Sequence, residues 1–126
     1  MRRRILKPRK HPRFYPNEPA FVVVNAYRAE GQKIKKYPVI DISEGGCAFI
    51  YDSSEKALAQ SGCLSLSFKD TFYIEKLDFI TRSDTLFSQI MNPSDSLRRR
   101  GVEFKRLELP KQERLKEFIT SNCRAS

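Results

Sequence analysis

The sequence predicts a mainly β domain: a small antiparallel barrel or sandwich, with a basic arm at its N-terminus and one amphipathic helix at its C-terminus. Three observations carry this. Seven short segments rich in β-branched and aromatic residues follow one another between residues 20 and 109. No helical crossover separates them, so the sheet should be mainly antiparallel. Near the C-terminus the apolar period changes from two to about 3.6.

Residues 1–19 read as an extended arm, because Pro8, Pro12, Pro16 and Pro19 remove N–H donors and restrain the backbone. The strand candidates then run in order. Ala20–Tyr27 comes first, and Lys33–Ile42 follows a turn at Gly31. Pro38 makes the second an edge strand or gives it a bulge. Cys47–Tyr51 and Cys63–Phe68 come next; the latter alternates Leu64, Leu66 and Phe68 against Cys63, Ser65 and Ser67. Ala57–Gln60 between them suits a short helical turn. Phe72–Arg82, Leu86–Met91 and Arg99–Leu107 complete the set. Pro110–Asn122 is a helix: Leu115, Phe118 and Ile119 share one face, and Pro110 suits a first turn. Glu108-Leu109-Pro110 offers that helix no Ser, Thr or Asp cap. The chain divides into arm 1–19, strand body 20–109 and helix 110–122, in one domain.

Composition narrows the function. The chain has 126 residues, 40% hydrophobic, with nine Phe and five Tyr, enough for one core. The longest stretch without a charge, Ala57–Phe68, is twelve residues, where a membrane helix needs about 20. No apolar run follows the basic N-terminus, so a secretory signal is not expected. Cys47, Cys63 and Cys123 lack metal-ligand spacing and suit a reducing cytoplasm. Cys47 and Cys63 read as small barrel residues rather than reactive thiols. The only histidine, His11, has cationic neighbours that disfavour a general base or metal ligand. No phosphate-loop, zinc-helix or nucleophile-elbow motif is present. The expectation is a binding protein, not an enzyme, with no metal and no cofactor.

The formal charge is +9, and residues 1–13 hold seven basic groups and no acid. The other residues hold seventeen basic and fifteen acidic groups, so an anionic partner meets the arm first.

Two short patterns each occur once. Arg9-Lys10-His11-Pro12-Arg13 is the only pair of arginines spaced by four, and Asp41-Ile42-Ser43-Glu44-Gly45-Gly46 is the only D-x-S-x-x-G. Guanidinium forks match phosphate and the O6 and N7 acceptors of guanine. A carboxylate such as Asp41 complements the N1–H and N2–H₂ donors of guanine. Ser43 lies two residues on, on the same strand face. Gly46 either permits a positive φ or admits a close approach. The residues permit a guanine nucleotide without demanding one. Taken alone, Arg9 and Arg13 equally suit a solvated basic arm, and Asp41 and Ser43 an Asx- or Ser-turn.

Both patterns in this order, followed by Arg100-Gly101-Val102-Glu103-Phe104-Lys105-Arg106-Leu107 and an amphipathic helix, resemble the PilZ domain family from about Arg9 to Ile119. The resemblance implies a six- or seven-stranded antiparallel β-barrel that binds the bacterial second messenger cyclic di-GMP. It implies that Arg9 and Arg13 clamp phosphate and the guanine Hoogsteen edge. Asp41 and Ser43 contact guanine, and Gly45 and Gly46 shape the turn against the ligand. Some members also use a basic or aromatic residue on a later strand, so Arg82 or one of Arg98–Arg100, Arg98 first, is a further candidate, as are Arg4 and Lys10 of the arm. Arg98–Arg100 otherwise read as charges guarding a strand edge, and Phe14 and Tyr15 as anchors of the arm. The chain departs from the family in lacking tryptophan, so stacking falls to Arg, Phe or Tyr. Many members bind an intercalated dimer of the dinucleotide, an outcome linked to the residue before the first arginine, here Pro8.

The resulting expectation is a cytoplasmic receptor. Its mobile arm folds over the barrel when ligand phosphates neutralise the arginines, changing a surface that regulates a protein in trans. Motility or exopolysaccharide control is typical of the family. The rival readings are a basic barrel for single-stranded nucleic acid and a PilZ-like adaptor that has lost its ligand. The near-neutral body weighs against the first, and the intact motif residues against the second.

Overall fold

A computed structural model describes residues 11–24, 35–53, 59–87 and 97–125 of the chain. Within them the strands are β1 (Phe14–Pro16), β2 (Ala20–Val24), β3 (Tyr37–Ser43), β4 (Gly46–Asp52), β5 (Ser61–Phe68), β6 (Thr71–Leu86), β7 (Leu97–Lys105) and β8 (Cys123–Ala125). One helix, α1 (Leu109–Asn122), precedes β8. The sheet order is β2-β5-β6-β7-β4-β3-β1-β8, and an added β2–β3 pairing closes the first six into an antiparallel barrel. The barrel alternative of the sequence reading therefore holds.

The closing seam is short, with Phe21 opposite Pro38 and Val22 opposite Tyr37. Pro38 has no N–H to extend that ladder. Beyond it β3 turns to β1, through Phe14 opposite Ile42. The segment read as an arm thus enters the sheet at Phe14, and β1 is covered in turn by β8. Phe14 packs against the core, while Tyr15 is exposed.

Inward side chains of all six barrel strands form one core, including Val22, Phe49, Leu64, Leu77 and Phe104. The helix plugs one end. Leu115, Phe118 and Ile119 are buried as the period predicts, and Phe118 meets Phe68 and Tyr73 edge-on with centroids 5.1 Å apart. No side chain caps the helix at Glu108. Lys111 instead ties its first turn to the sheet, donating to the Lys76 carbonyl at 2.6 Å.

Several expectations change. Ser65 and Ser67, on the strand face opposite Leu64, Leu66 and Phe68, are buried as well. The β5–β6 register shifts beside Ser65, and its hydroxyl accepts the N–H of Lys76 at 3.2 Å. Leu86 ends the long β6 rather than opening a new strand, and Ile90–Met91 lie outside the described residues. So do Gly31 and the first half of Ala57–Gln60. Arg98–Arg100 do not guard an edge, because β7 lies between β4 and β6.

Their roles follow from strand alternation. Arg98 and Arg100 point inward and Arg99 outward. Arg98 donates to Asp84 at 2.6 Å, and Arg100, 3% exposed, donates to Asp84 at 2.9 Å and to the Ala59 carbonyl. Tyr51 donates its hydroxyl to the same carboxylate, and the Arg100 guanidinium lies 5.0 Å from the Tyr51 ring centroid. Burial opposes the charge on Asp84, but the bonds from Tyr51, Arg98 and Arg100 outweigh it and hold the carboxyl below its ordinary range. This cluster lies at the end of β6 away from the helix, which packs near Tyr73 and Lys76.

Candidate functional site

The site is built on two β-bulges. On β3, Val39 lies opposite Phe49 and Asp41 opposite Ala48, so Ile40 is an extra residue in the strand. In a regular pleat through the same residues, Asp41 would share the inward parity of Tyr37 and Val39. The bulge turns Asp41 to the outer face, while Ile42 returns to the core. On β6, Thr81 lies opposite Val102 and Ser83 opposite Gly101, making Arg82 the extra residue. Ser83 turns outward and Asp84 inward.

Asp41, Ala48, Gly101 and Ser83 consequently lie side by side across β3, β4, β7 and β6. The two middle residues are small, and a Cβ on Gly101 would come within 2.6 Å of the Ser83 hydroxyl. They form the floor of a cavity of about 630 Å³. His11 and Arg13 line it from the arm, Ser43, Glu44 and Gly45 from the β3–β4 turn, Arg82, Arg99 and Glu103 from the sheet, and Gln112 and Leu115 from the helix.

Asp41 is 6% exposed. Its Oδ2 accepts from Arg99 at 3.1 Å and lies 4.0 Å from the Arg13 guanidinium. Two cations from different parts of the chain therefore converge on one buried carboxylate oxygen. Ser43 holds the turn: its hydroxyl accepts the Gly45 N–H at 3.1 Å and approaches the Gly46 carbonyl at 3.4 Å. This is the Ser-turn geometry, and it leaves Ser43 on the cavity wall.

The two glycines are fixed by different neighbours. Gly46 does not have a positive φ; a Cβ there would drive into the Val102 carbonyl oxygen of β7. Gly45 faces the arm, where a Cβ would stand 2.5 Å from Cδ2 of His11.

Arg82 lines the cavity but donates to Glu103 at 2.6 Å, and that bond, with Lys105 assisting, holds the Glu103 carboxyl below its ordinary range. Arg98 lies off the cavity, on the inner face with Asp84. Within Arg98–Arg100, the residue facing the cavity is Arg99. Arg4, Arg9 and Lys10 lie outside the described residues. Cys47 is buried, and burial, with the charge of Asp41, pushes its thiol far above its ordinary value, consistent with an inert barrel residue.

Gly101 and His11 were not singled out as binding residues from the sequence. Gly101 had a signal, since a glycine inside a strand marks a bulge or a close approach. His11 had none beyond its place between Arg9 and Arg13. Among the described residues no cluster could hold a metal, and no helix is long and apolar enough to cross a membrane.

The fold has solved counterparts. The MrkH–c-di-GMP complex of K. pneumonia superposes with a TM-score of 0.67 at 20% identity, covering 92% of this chain and 52% of that one. The PilZ domain of YcgR from Escherichia coli with c-di-GMP gives 0.66 at 15% identity and 92% coverage of both chains. The Bacillus subtilis inhibitor of motility, MotI/DgrA, gives 0.57 at 14%, covering 90% of this chain and 49% of that one. This chain thus spans about half the length of MrkH and MotI. No curated protein matches the sequence. The PilZ domain model matches residues 7–121, nearly the whole chain. A closed six-stranded barrel, matched by that family model over nearly its whole length, makes the chain a member of the PilZ domain family.

Proposed function

We propose that the protein is a receptor for cyclic di-GMP, bound in the cavity over Asp41, Ala48, Gly101 and Ser83. The observation that carries this reading is Asp41: a buried carboxylate turned into the cavity by a bulge and facing two guanidinium groups. It can accept the Watson–Crick edge of guanine. Arg13, with Arg9 ahead of it, supplies donors for phosphate and for the guanine Hoogsteen edge. Ser43 adds a polar contact, and Gly45 and Gly46 bring the turn close to the ligand. MrkH and YcgR, which share the fold, hold c-di-GMP in their solved structures.

The ligand's phosphates neutralise the arginines and tighten the arm on the barrel. That exposes or covers a surface read by a regulated protein, with motility or exopolysaccharide synthesis as the output. The site recognises a ligand, and no catalytic step is assigned to it.

Calorimetry tests the reading. The parent chain should bind cyclic di-GMP, while Arg13→Ala and Asp41→Ala should each weaken binding by more than about tenfold, a loss of 1.4 kcal/mol or more. No heat with the parent at tens of micromolar ligand, or undiminished binding by Arg13→Ala, sinks it. Length-dependent retardation of oligonucleotides at physiological salt would favour the nucleic-acid reading instead.

A further inference from the structure

Arg13 must meet the ligand from a defined place. Its C-terminal neighbour Phe14 is fixed by pairing with Ile42 and Ala125. Two residues before Arg13, the His11 ring lies over Gly45, with Cδ2, Nε2 and Cγ within 2.5–3.4 Å of where a Cβ would be. Gly45 cannot recede. Its N–H is bonded to the Ser43 hydroxyl at 3.1 Å, and its carbonyl accepts the Phe104 N–H at 2.8 Å. Its φ is not positive, so alanine fits the backbone and collides only with the histidine ring.

We infer that His11 is a positioning residue: its ring docks on Gly45, so that Arg13 is delivered to Asp41 between two anchors before any ligand arrives. The nearest ring atom is a carbon, so the contact works by packing rather than by charge. Arg13 then loses less conformational freedom on binding than an arginine on a free arm. The inference rests on the cyclic di-GMP reading for its use, but the docking itself can be measured without ligand.

The test is a double-mutant cycle on the full chain, with Gly45→Ala, His11→Gly and both together. Amide hydrogen exchange of ligand-free protein is read at His11, Arg13 and Phe14. Each single variant should accelerate exchange there by about tenfold, within the range of contact couplings. Strands β3 and β4 should keep their protection, which shows that the barrel is folded. Gly45→Ala should add nothing once His11 is glycine, and His11→Phe should retain parental protection. Calorimetry with cyclic di-GMP should follow the same pattern at position 11, with His11→Gly weakening binding by about tenfold and His11→Phe binding as the parent does.

Equal effects of Gly45→Ala in both backgrounds overturn the inference. So does parental exchange at Arg13 and Phe14 in His11→Gly. A coupled exchange cycle in a protein that binds no cyclic di-GMP leaves the docking standing and removes the ligand reading alone.

Discussion

Arg99 of β7 reaches across β4 to donate to Asp41 of β3, at 3.1 Å. This pair occupies the carboxylate oxygen that a guanine edge would need, so a ligand entering the cavity must exchange with it. The pair also neutralises a carboxylate that is almost out of solvent, and that gives it a measurable weight. In urea unfolding, Arg99→Ala and Asp41→Asn should each destabilise, with a coupling of about 1–2 kcal/mol in the double variant. Additive single effects would show that the pair does not form in solution.

Arg98 and Arg82 should separate cleanly. Arg98 faces Asp84 inside the barrel, away from the cavity. Arg98→Ala should lower the unfolding midpoint while leaving cyclic di-GMP affinity unchanged. Arg82→Ala, which removes a cavity residue already held by Glu103, should weaken affinity by about threefold, near 0.7 kcal/mol. Calorimetry and thermal melts on the same samples decide both.

Asp84 collects bonds from Tyr51, Arg98 and Arg100. Asp84→Asn leaves the buried Arg100 without its counter-charge and should cost about 3 kcal/mol. The pH dependence has a definite sign. The folded carboxyl lies below its ordinary value. Its contribution is therefore present above the unfolded value of about 3.9 and is lost as pH falls from there through the folded value. Asp84→Asn should lack this part of the acid limb, measured as urea midpoints between pH 5 and pH 2.5.

Gly46→Ala should damage the barrel rather than the ligand contacts alone. The clash is with a backbone carbonyl in the β4–β7 ladder, which cannot rotate away. A loss of about 3 kcal/mol is expected from such overpacking. Stability equal to the parent, with ligand binding lost, would assign Gly46 to the ligand instead.

Much of this was legible in the sequence. Strand content, the helix with Leu115, Phe118 and Ile119 on its inner face, and the meeting of Arg13 with Asp41 all follow from pattern and motif. The less legible features depend on strand partners far along the chain. Pro38 announces an irregularity in β3, but only pairing with β4 shows that the extra residue is Ile40. Nothing local says that β7 is central, so its arginines looked like edge guards until Asp84 and Asp41 came opposite them. Ser65 and Ser67 alternate with Leu64, Leu66 and Phe68 as the pattern predicts, but the pattern does not tell that both faces of the strand are buried there.

The bulge at Ile40 makes recognition a matter of phase. The acceptor faces the ligand because the count of residues between Tyr37 and Asp41 is one out of step with the pleat. A regular pleat through all seven residues of β3 would keep every side chain of the D-x-S-x-x-G pattern and would turn Asp41 toward the core with Tyr37 and Val39. The motif is therefore a sequence read through an offset. In such an unbulged strand the same residues would present Ile42, and not Asp41, to the cavity.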